Sequence, residues 1–175
     1  IAITKNDKYL AIEYIRGLTI DKINEISLTN EDKFRIIYEI IDIIKYLHCN
    51  EFIYRDLKPS NIIIDGNKDV ILIDFDRMIT AKDEQKTFDF QSVYIAPEIK
   101  EGKNYSYSAD IYSLGLIICY IITGKEIEND IKSNIMNFFP KVFMPIKKIC
   151  EACTTINPKE RPTINQIIEV YLFTV

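Results

Sequence analysis

The stretch that decides the fold lies in the first half of the chain and reads Tyr54-Arg55-Asp56-Leu57-Lys58-Pro59-Ser60-Asn61. It carries a carboxylate, an ammonium group and a carboxamide close together in the sequence. Pro59 fixes its own φ angle and disfavours the α region for Lys58. We therefore predict a rigid loop that presents three polar side chains.

Apolar runs flank this loop and predict two short strands. Ile62-Ile63-Ile64 follows the loop, and Asp65-Gly66-Asn67 is a hairpin turn signal. The second apolar run extends from Val70 to Ile73 and ends at Asp74-Phe75-Asp76. The sequence thus predicts a hairpin with the polar loop before its first strand and acidic residues after its second.

The two polar segments resemble the catalytic and metal-binding motifs of eukaryotic protein kinases, H-R-D-L-x-x-x-N and D-F-G. The chain has Y-R-D-L-K-P-S-N and D-F-D instead, and three further markers follow in the family's order: Ala96-Pro97-Glu98, the segment 108–115 and Arg161-Pro162. The resemblance is to the serine/threonine type and covers nearly the whole chain. It implies an α+β, mostly α, protein-kinase-like fold.

Within that family, residues 1–175 resemble a partial kinase domain: the hinge strand plus the large helical C-terminal lobe with short β-hairpins. The small N-terminal lobe is expected to be largely absent, because no glycine-rich loop and no phosphate-binding strand lysine occur in the sequence. Ala2-Ile3-Thr4-Lys5 superficially resembles the family's V-A-I-K strand, but Lys5 lies too close to the hinge to be that lysine. The chain begins Ile1-Ala2-Ile3, and we expect it to be a piece of a longer polypeptide.

Composition narrows the classes of partner. A chain of 175 residues is natural for one domain. Its net charge of −4 provides no basic field, so nucleic acid is not an expected partner. The longest apolar run, 114–122, is too short to span a bilayer, so no membrane association is expected. The sequence gives no indication of the oligomeric state.

Four cysteines, Cys49, Cys119, Cys150 and Cys153, show no repeated pairing pattern. The Cys150-x-x-Cys153 pair could form half of a zinc site, but no second pair or histidine cluster accompanies it. We expect all four to be reduced thiols in or near the core. That expectation favours a reducing compartment and a cytoplasmic location.

Local signals predict most of the remaining elements. Residues 1–15 read as a hairpin with strands at 1–3 and 9–15 and a turn at Asn6-Asp7. Thr29 begins a helix whose apolar face runs from Ile37 to Leu47, where His48 is expected to be a core residue and not a catalytic one. The segment 110–123 is apolar nearly all round and predicts a buried helix that Gly124 ends.

The C-terminal third predicts shorter helices. Residues 131–153 suggest one or two helices interrupted by Pro140 and Pro145. Thr163 is expected to cap a final helix that buries Ile164, Ile167 and Tyr171.

The resemblance implies catalytic and nucleotide-binding roles for specific residues. Asp56 would orient the substrate hydroxyl and accept its proton, while Lys58 would stabilise the γ-phosphate of ATP. Asn61 and Asp74 would hold Mg²⁺. The expected adenine contacts are Ile12 as gatekeeper, the backbone of Glu13 and Ile15, and Ile63 as the floor.

Other family positions are implied to be structural or regulatory. Tyr54 should pack on Phe75, and Arg55 is the position that could receive an activation-segment phosphate. Asp110 should accept hydrogen bonds from the catalytic-loop backbone. Glu98 and Arg161 should form a buried ion pair that ties the activation segment to the late helices.

Two readings of function remain open at this stage. The first is an active ATP- and Mg²⁺-dependent kinase acting on protein substrates, with this fragment inactive by itself. The second is a pseudokinase that serves as a binding or scaffold module. Asp76 stands where the family has glycine and favours the second reading, whereas Asp56, Lys58, Asn61 and Asp74 together favour the first. The sequence upstream would discriminate between them.

Overall fold

The computed structural model describes residues 2–3, 10–11, 13–82, 92–103, 106–125, 127 and 138–172. Within these residues helix predominates over strand, as the sequence predicts. The helices are α1 (Asn30–Cys49), α2 (Pro97–Lys100), α3 (Ser108–Thr123), α4 (Met144–Cys153) and α5 (Ile164–Leu172). The strands are β1 (Ala2–Ile3), β2 (Leu10–Ala11), β3 (Gly17–Thr19), β4 (Phe52–Ile53), β5 (Ile62–Asp65), β6 (Val70–Leu72) and β7 (Ile79–Thr80). Short 3₁₀ turns lie at Ile20–Glu25, Pro59–Asn61, Lys141–Phe143 and Pro158–Glu160.

The core is built around α3, which packs against α1 and α4, while α1 also packs against α5. α1 begins at a reciprocal capping box between Thr29 and Asp32, which satisfies two backbone N–H groups at the helix end. α3 is buried on nearly all sides and ends at Gly124 in the left-handed conformation, with φ of 63°. Both helix predictions are confirmed.

The close contact between α3 and α4 depends on Gly115. A Cβ atom at this position would lie 2.6 Å from the Cβ of Cys153 and 3.0 Å from Cγ2 of Thr154. The bare backbone of Gly115 therefore lets α4 approach α3 more closely than any side chain would allow.

The predicted hairpin is confirmed as β5 and β6, an antiparallel pair with Ile63 opposite Ile71. A third strand, β3, which the sequence analysis did not predict, pairs with the other edge of β5. Gly17 makes this pairing possible, because a Cβ there would lie 2.4 Å from the carbonyl oxygen of Ile64. A separate two-stranded pair joins β4 to β7 and so ties the start of the central loop to the segment after the hairpin.

Two sequence predictions need correction. β1 pairs with β2 as expected, but among the described residues of the predicted strand at 9–15, Leu10–Ala11 are a strand and 13–15 have no regular structure. The expected turn at 6–7 lies outside the described residues. Pro145 does not interrupt a helix but lies in the first turn of α4, where a missing N–H group breaks no intrahelical bond. Residues 131–137 are also outside the described part of the chain.

Candidate active site

Asp110, in the first turn of α3, anchors the polar loop. Its Oδ2 atom accepts a hydrogen bond of 2.8 Å from the backbone N–H of Tyr54, and its Oδ1 atom accepts one of 2.8 Å from that of Arg55. His48 Nε2 lies 3.0 Å from the same Oδ2 atom, which gives the lone histidine a structural partner. The helix N-terminus and these donors together stabilise a carboxylate that is fully buried.

Tyr54 joins the loop to the hairpin. Its hydroxyl donates a hydrogen bond to the carbonyl oxygen of Ile73, and its ring meets Phe75 edge-on with 5.6 Å between centroids. The expected packing of Tyr54 on Phe75 is therefore present. Burial raises the pKa of the Tyr54 phenol, and the nearby carboxylates of Asp56, Asp74 and Asp110 raise it further. Tyr54 thus lies among the acidic groups of the site.

The central feature is the Asp56 carboxylate, of which only 3% is exposed. Lys58 Nζ lies 2.9 Å from its Oδ2 atom, and Asn61 Nδ2 donates to the same oxygen at 3.0 Å. Asn61 Nδ2 also lies 2.9 Å from the Asp56 carbonyl oxygen. The structure thus brings together the three polar residues that the loop sequence singled out. Lys58 is extended, with φ of −151° and ψ of 160°, as Pro59 requires.

Asn61 and Asp74 lie at the same end of the hairpin. The N–H of Ile73 donates to the carbonyl oxygen of Asn61 at 3.0 Å, so Asn61 faces the residue that precedes Asp74. The Asp74 carboxylate is exposed, and carboxylate and amide oxygens suit Mg²⁺. No cluster of three or more histidine, cysteine, aspartate or glutamate side chains suited to a metal occurs in the described residues. A site built on Asn61 and Asp74 therefore fits a cation that also takes phosphate oxygens and water.

The structure describes three of the four residues that are expected to contact adenine. Ile12 lies outside the described residues. Glu13 is exposed and Ile15 half-buried, in the irregular segment that leads to β3. Ile63 is half-buried at the centre of β5. The expected contacts of these residues with a nucleotide stay predictions.

Arg55 is buried in an unusual backbone conformation. Its φ angle is 67°, and its Nε atom donates to the carbonyl oxygen of Arg77 at 2.5 Å. This bond holds the segment after the hairpin against the loop. The expected role of Arg55 as a phosphate receiver stays a prediction.

Arg77 is a site residue that the sequence analysis missed. Its Nη1 atom donates to Asp56 Oδ1 at 3.3 Å. The only sequence signal is its position, because a cationic residue directly follows the Asp74-Phe75-Asp76 motif. The position of Arg77 beside this motif does not reveal its contact with Asp56, because the whole β5–β6 hairpin separates the two residues in the sequence.

The expected Glu98–Arg161 ion pair is present and bidentate. Arg161 Nη1 lies 2.7 Å from Glu98 Oε1, and Arg161 Nη2 lies 2.8 Å from Glu98 Oε2. Both side chains are buried. Arg161 also donates to the carbonyl oxygens of Ser108, Thr155 and Ile156. The pair therefore connects α2, the start of α3 and the segment after α4.

The cysteine prediction is confirmed for three positions and wrong for the fourth. Cys119, Cys150 and Cys153 are buried thiols, whereas Cys49, at the end of α1, is exposed. Burial raises the pKa of Cys153 to about 12 and raises that of Cys150 as well.

Among the described residues, no helix is both long and apolar enough to cross a bilayer.

A family model and several curated proteins are similar to this chain, and all of them are protein kinases. The model of the protein kinase domain family matches residues 1–173. The SNF1-related protein kinase catalytic subunit alpha KIN12 of Arabidopsis thaliana is 34% identical over 143 residues, which cover 79% of this chain and 28% of that protein. The carbon catabolite-derepressing protein kinase of Secale cereale is 30% identical over 183 residues, which cover 95% and 36%.

A bacterial protein is similar too. The probable serine/threonine-protein kinase PknB of Lactococcus lactis is 28% identical over 179 residues, which cover 91% of this chain and 28% of that protein. The chain thus spans between 28% and 36% of the length of these three relatives.

Proposed function

Since the chain belongs to the eukaryotic protein kinase family, we propose that the full-length protein transfers the γ-phosphate of ATP to serine and threonine hydroxyls of protein substrates. The observation that carries this proposal is the arrangement around Asp56. A buried carboxylate, the Lys58 ammonium group and the Asn61 amide meet within hydrogen-bonding distance on a loop that Asp110 holds. Phosphoryl transfer depends on such positioning and charge neutralisation more than on covalent catalysis.

In this proposal each polar residue has one task. Asp56 accepts a hydrogen bond from the substrate hydroxyl and takes its proton as the new oxygen–phosphorus bond forms and the bond to the β-phosphate oxygen breaks. Lys58 moves from Asp56 to the γ-phosphate, which its flexible stem allows because 27% of its side chain is exposed. Mg²⁺, when bound, neutralises phosphate charge. Asn61 and Asp74 are the residues that would hold it.

The adenine ring is assigned to the segment before β3. The backbone of Glu13 and Ile15 would hydrogen-bond its edge, Ile12 would be the gatekeeper and Ile63 would form the floor. The position of Ile63 on β5, close in sequence to Asn61, supports this assignment, because adenine and phosphates must lie at the two ends of one nucleotide.

The pseudokinase alternative is favoured by one observation, the aspartate at position 76 in place of the family's glycine. A pseudokinase would keep the Asp110 anchor and the Glu98–Arg161 pair, which support the fold, without needing phosphoryl transfer. The test therefore has to measure turnover and not folding or nucleotide binding alone.

The experiment compares the full-length protein with its Asp56→Asn variant in a radiolabelled ATP transfer assay with a generic serine/threonine substrate and Mg²⁺. We expect transfer by the unmodified protein and a loss of roughly 100-fold or more in the variant, because a carboxamide cannot accept the proton. ATP affinity should stay within about twofold, because Asp56 is assigned to the hydroxyl and not to the nucleotide. Absence of transfer by the unmodified protein, with ATP binding retained, would establish the pseudokinase alternative.

A further inference from the structure

The two oxygens of the Asp56 carboxylate are held by different groups. Oδ2 receives Lys58 at 2.9 Å and Asn61 at 3.0 Å, and Oδ1 receives the guanidinium of Arg77 at 3.3 Å. A carboxylate held only at Oδ2 could still rotate about its Cβ–Cγ bond. The contact with Arg77 at Oδ1 therefore defines the plane of the carboxylate.

The backbone of Arg77 is itself fixed on both sides. The N–H of Met78 donates to the carbonyl oxygen of Phe75 at 3.0 Å, which closes a turn around Asp76 and Arg77. The Arg77 carbonyl oxygen accepts the hydrogen bond from Arg55, the residue immediately before Asp56. Directly after this turn, β7 pairs with β4, the strand that leads into the loop. Arg77 therefore approaches Asp56 from a segment that is tied to the same loop.

The side chains of Arg77 and Lys58 differ in what the proposed reaction asks of them. Lys58 has to leave Oδ2 to reach the γ-phosphate, and its departure frees Oδ2 for the substrate hydroxyl. Arg77 has no such task, and its planar guanidinium can stay on Oδ1 while Lys58 moves.

We propose that Arg77 is a positioning residue that holds Oδ1 of Asp56, so that Oδ2 faces the substrate hydroxyl during phosphoryl transfer. This inference rests on the proposed function, because it assigns Arg77 a role in that same reaction. Arg77 acts through Asp56 and does not itself take the proton. Its removal should therefore lower the rate of the bound complex more than the affinity for ATP.

The test uses the full-length protein and four variants: Arg77→Ala, Arg77→Lys, Asp56→Asn and the Asp56→Asn/Arg77→Ala double variant. We expect Arg77→Ala to lower kcat roughly 10- to 100-fold, as a misplaced catalytic group does, with the KM for ATP within about twofold. Arg77→Lys should have a kcat between those of Arg77→Ala and the parent protein, because lysine keeps the positive charge but lacks the planar guanidinium. In the double variant the Arg77 change should cause no further loss, because its effect passes through Asp56.

Arg35→Ala is a control for the loss of an arginine that pairs with an aspartate, because Arg35 lies 3.4 Å from Asp69 at the turn of the β5–β6 hairpin. Unlike the pair of Arg77 with Asp56, this pair is exposed on both sides. Arg35→Ala should leave kcat unchanged within about twofold and melt within a few degrees of the parent, as loss of an exposed pair predicts. Arg77→Ala should also melt within a few degrees, because the buried Asp56 carboxylate keeps its contacts with Lys58 and Asn61.

Three results would overturn the inference: an unchanged kcat in Arg77→Ala, a raised kcat, which would make the contact an obstruction, or losses that add in the double variant. Failure of the proposed function can be told apart from failure of this inference, because only the former abolishes transfer by the unmodified protein. In that case the proposed role of Arg77 would also be wrong.

Discussion

Asp74, and not Asp76, has the left-handed backbone at the end of the hairpin. Asp74 has a φ angle of 64°, and Asp76 is not among the residues with positive φ. Position 76 carries aspartate where the family has glycine, and a Cβ atom there disfavours positive φ. The turn from Phe75 to Met78 leaves Asp76 outside the left-handed region, and the effect of Asp76 on the metal-binding segment stays a prediction. Aspartate tolerates the left-handed region at position 74 better than most residues.

Cys153 allows a test of how the burial of one thiol makes the free energy of unfolding depend on pH. Burial raises the pKa of its thiol from 9.0 to about 12, so the thiol stays neutral in the folded protein while an unfolded chain ionises. Stability from this group is therefore complete below about pH 9 and is lost as the pH rises towards 12. We expect the free energy of unfolding to fall between pH 9 and pH 11, and to fall less steeply in Cys153→Ala. Denaturant titrations at stepwise pH measure both slopes.

Cys49 supplies the control for that experiment, because its side chain is exposed. A Cys49→Ala variant should keep the slope of the parent protein over the same pH range. Equal slopes in all three proteins would contradict the assignment of the alkaline loss to Cys153.

The elements differ in how far local sequence determines them. Thr29 with Asp32, and Gly124 after an apolar run, are signals within one helix, so α1 and α3 could be predicted. β3 could not, because its three residues form a strand only by pairing with β5, far along the chain. β4 and β7 are each too short to show a period of two. The contact between Arg77 and Asp56 escaped prediction for the same reason, because it depends on how separate elements meet.

The Glu98–Arg161 pair gives a prediction about how elements are held together. Arg161→Ala should lower the free energy of unfolding by about 3–5 kcal/mol, because it leaves the Glu98 carboxylate buried without its partner. Lys82→Ala is the matched control, since Lys82 and Glu51 form an equally close but exposed pair. The control should cost less than about 1 kcal/mol. Chemical denaturation measures both, and equal losses would contradict a structural role for the buried pair.

At the scale of the whole molecule, the loop is held by segments distant in sequence. Asp110 of α3 binds its backbone, β7 pairs with the strand before it, and the carbonyl oxygen of Ile73 after the hairpin receives the Tyr54 hydroxyl. These contacts all lie within the described residues of this chain. The geometry around Asp56 therefore depends on the fold of this chain, and a folding measurement and an activity measurement can give different answers for residues 1–175.

Residues 1–175 expressed alone are predicted to fold but to transfer no measurable phosphate. They supply Asp56, Lys58 and the Asn61–Asp74 pair, which act on one side of the phosphates. The five glycines of the sequence, at 17, 66, 102, 115 and 124, are too far apart to form a glycine-rich phosphate loop. Without such a covering loop the γ-phosphate stays solvated and poorly oriented, and positioning supplies most of the rate in this chemistry. A cooperative thermal transition, together with a transfer assay beside the full-length protein, tests both halves of the prediction. Robust transfer by residues 1–175 would contradict it, and a non-cooperative transition would show that the fold needs more of the protein.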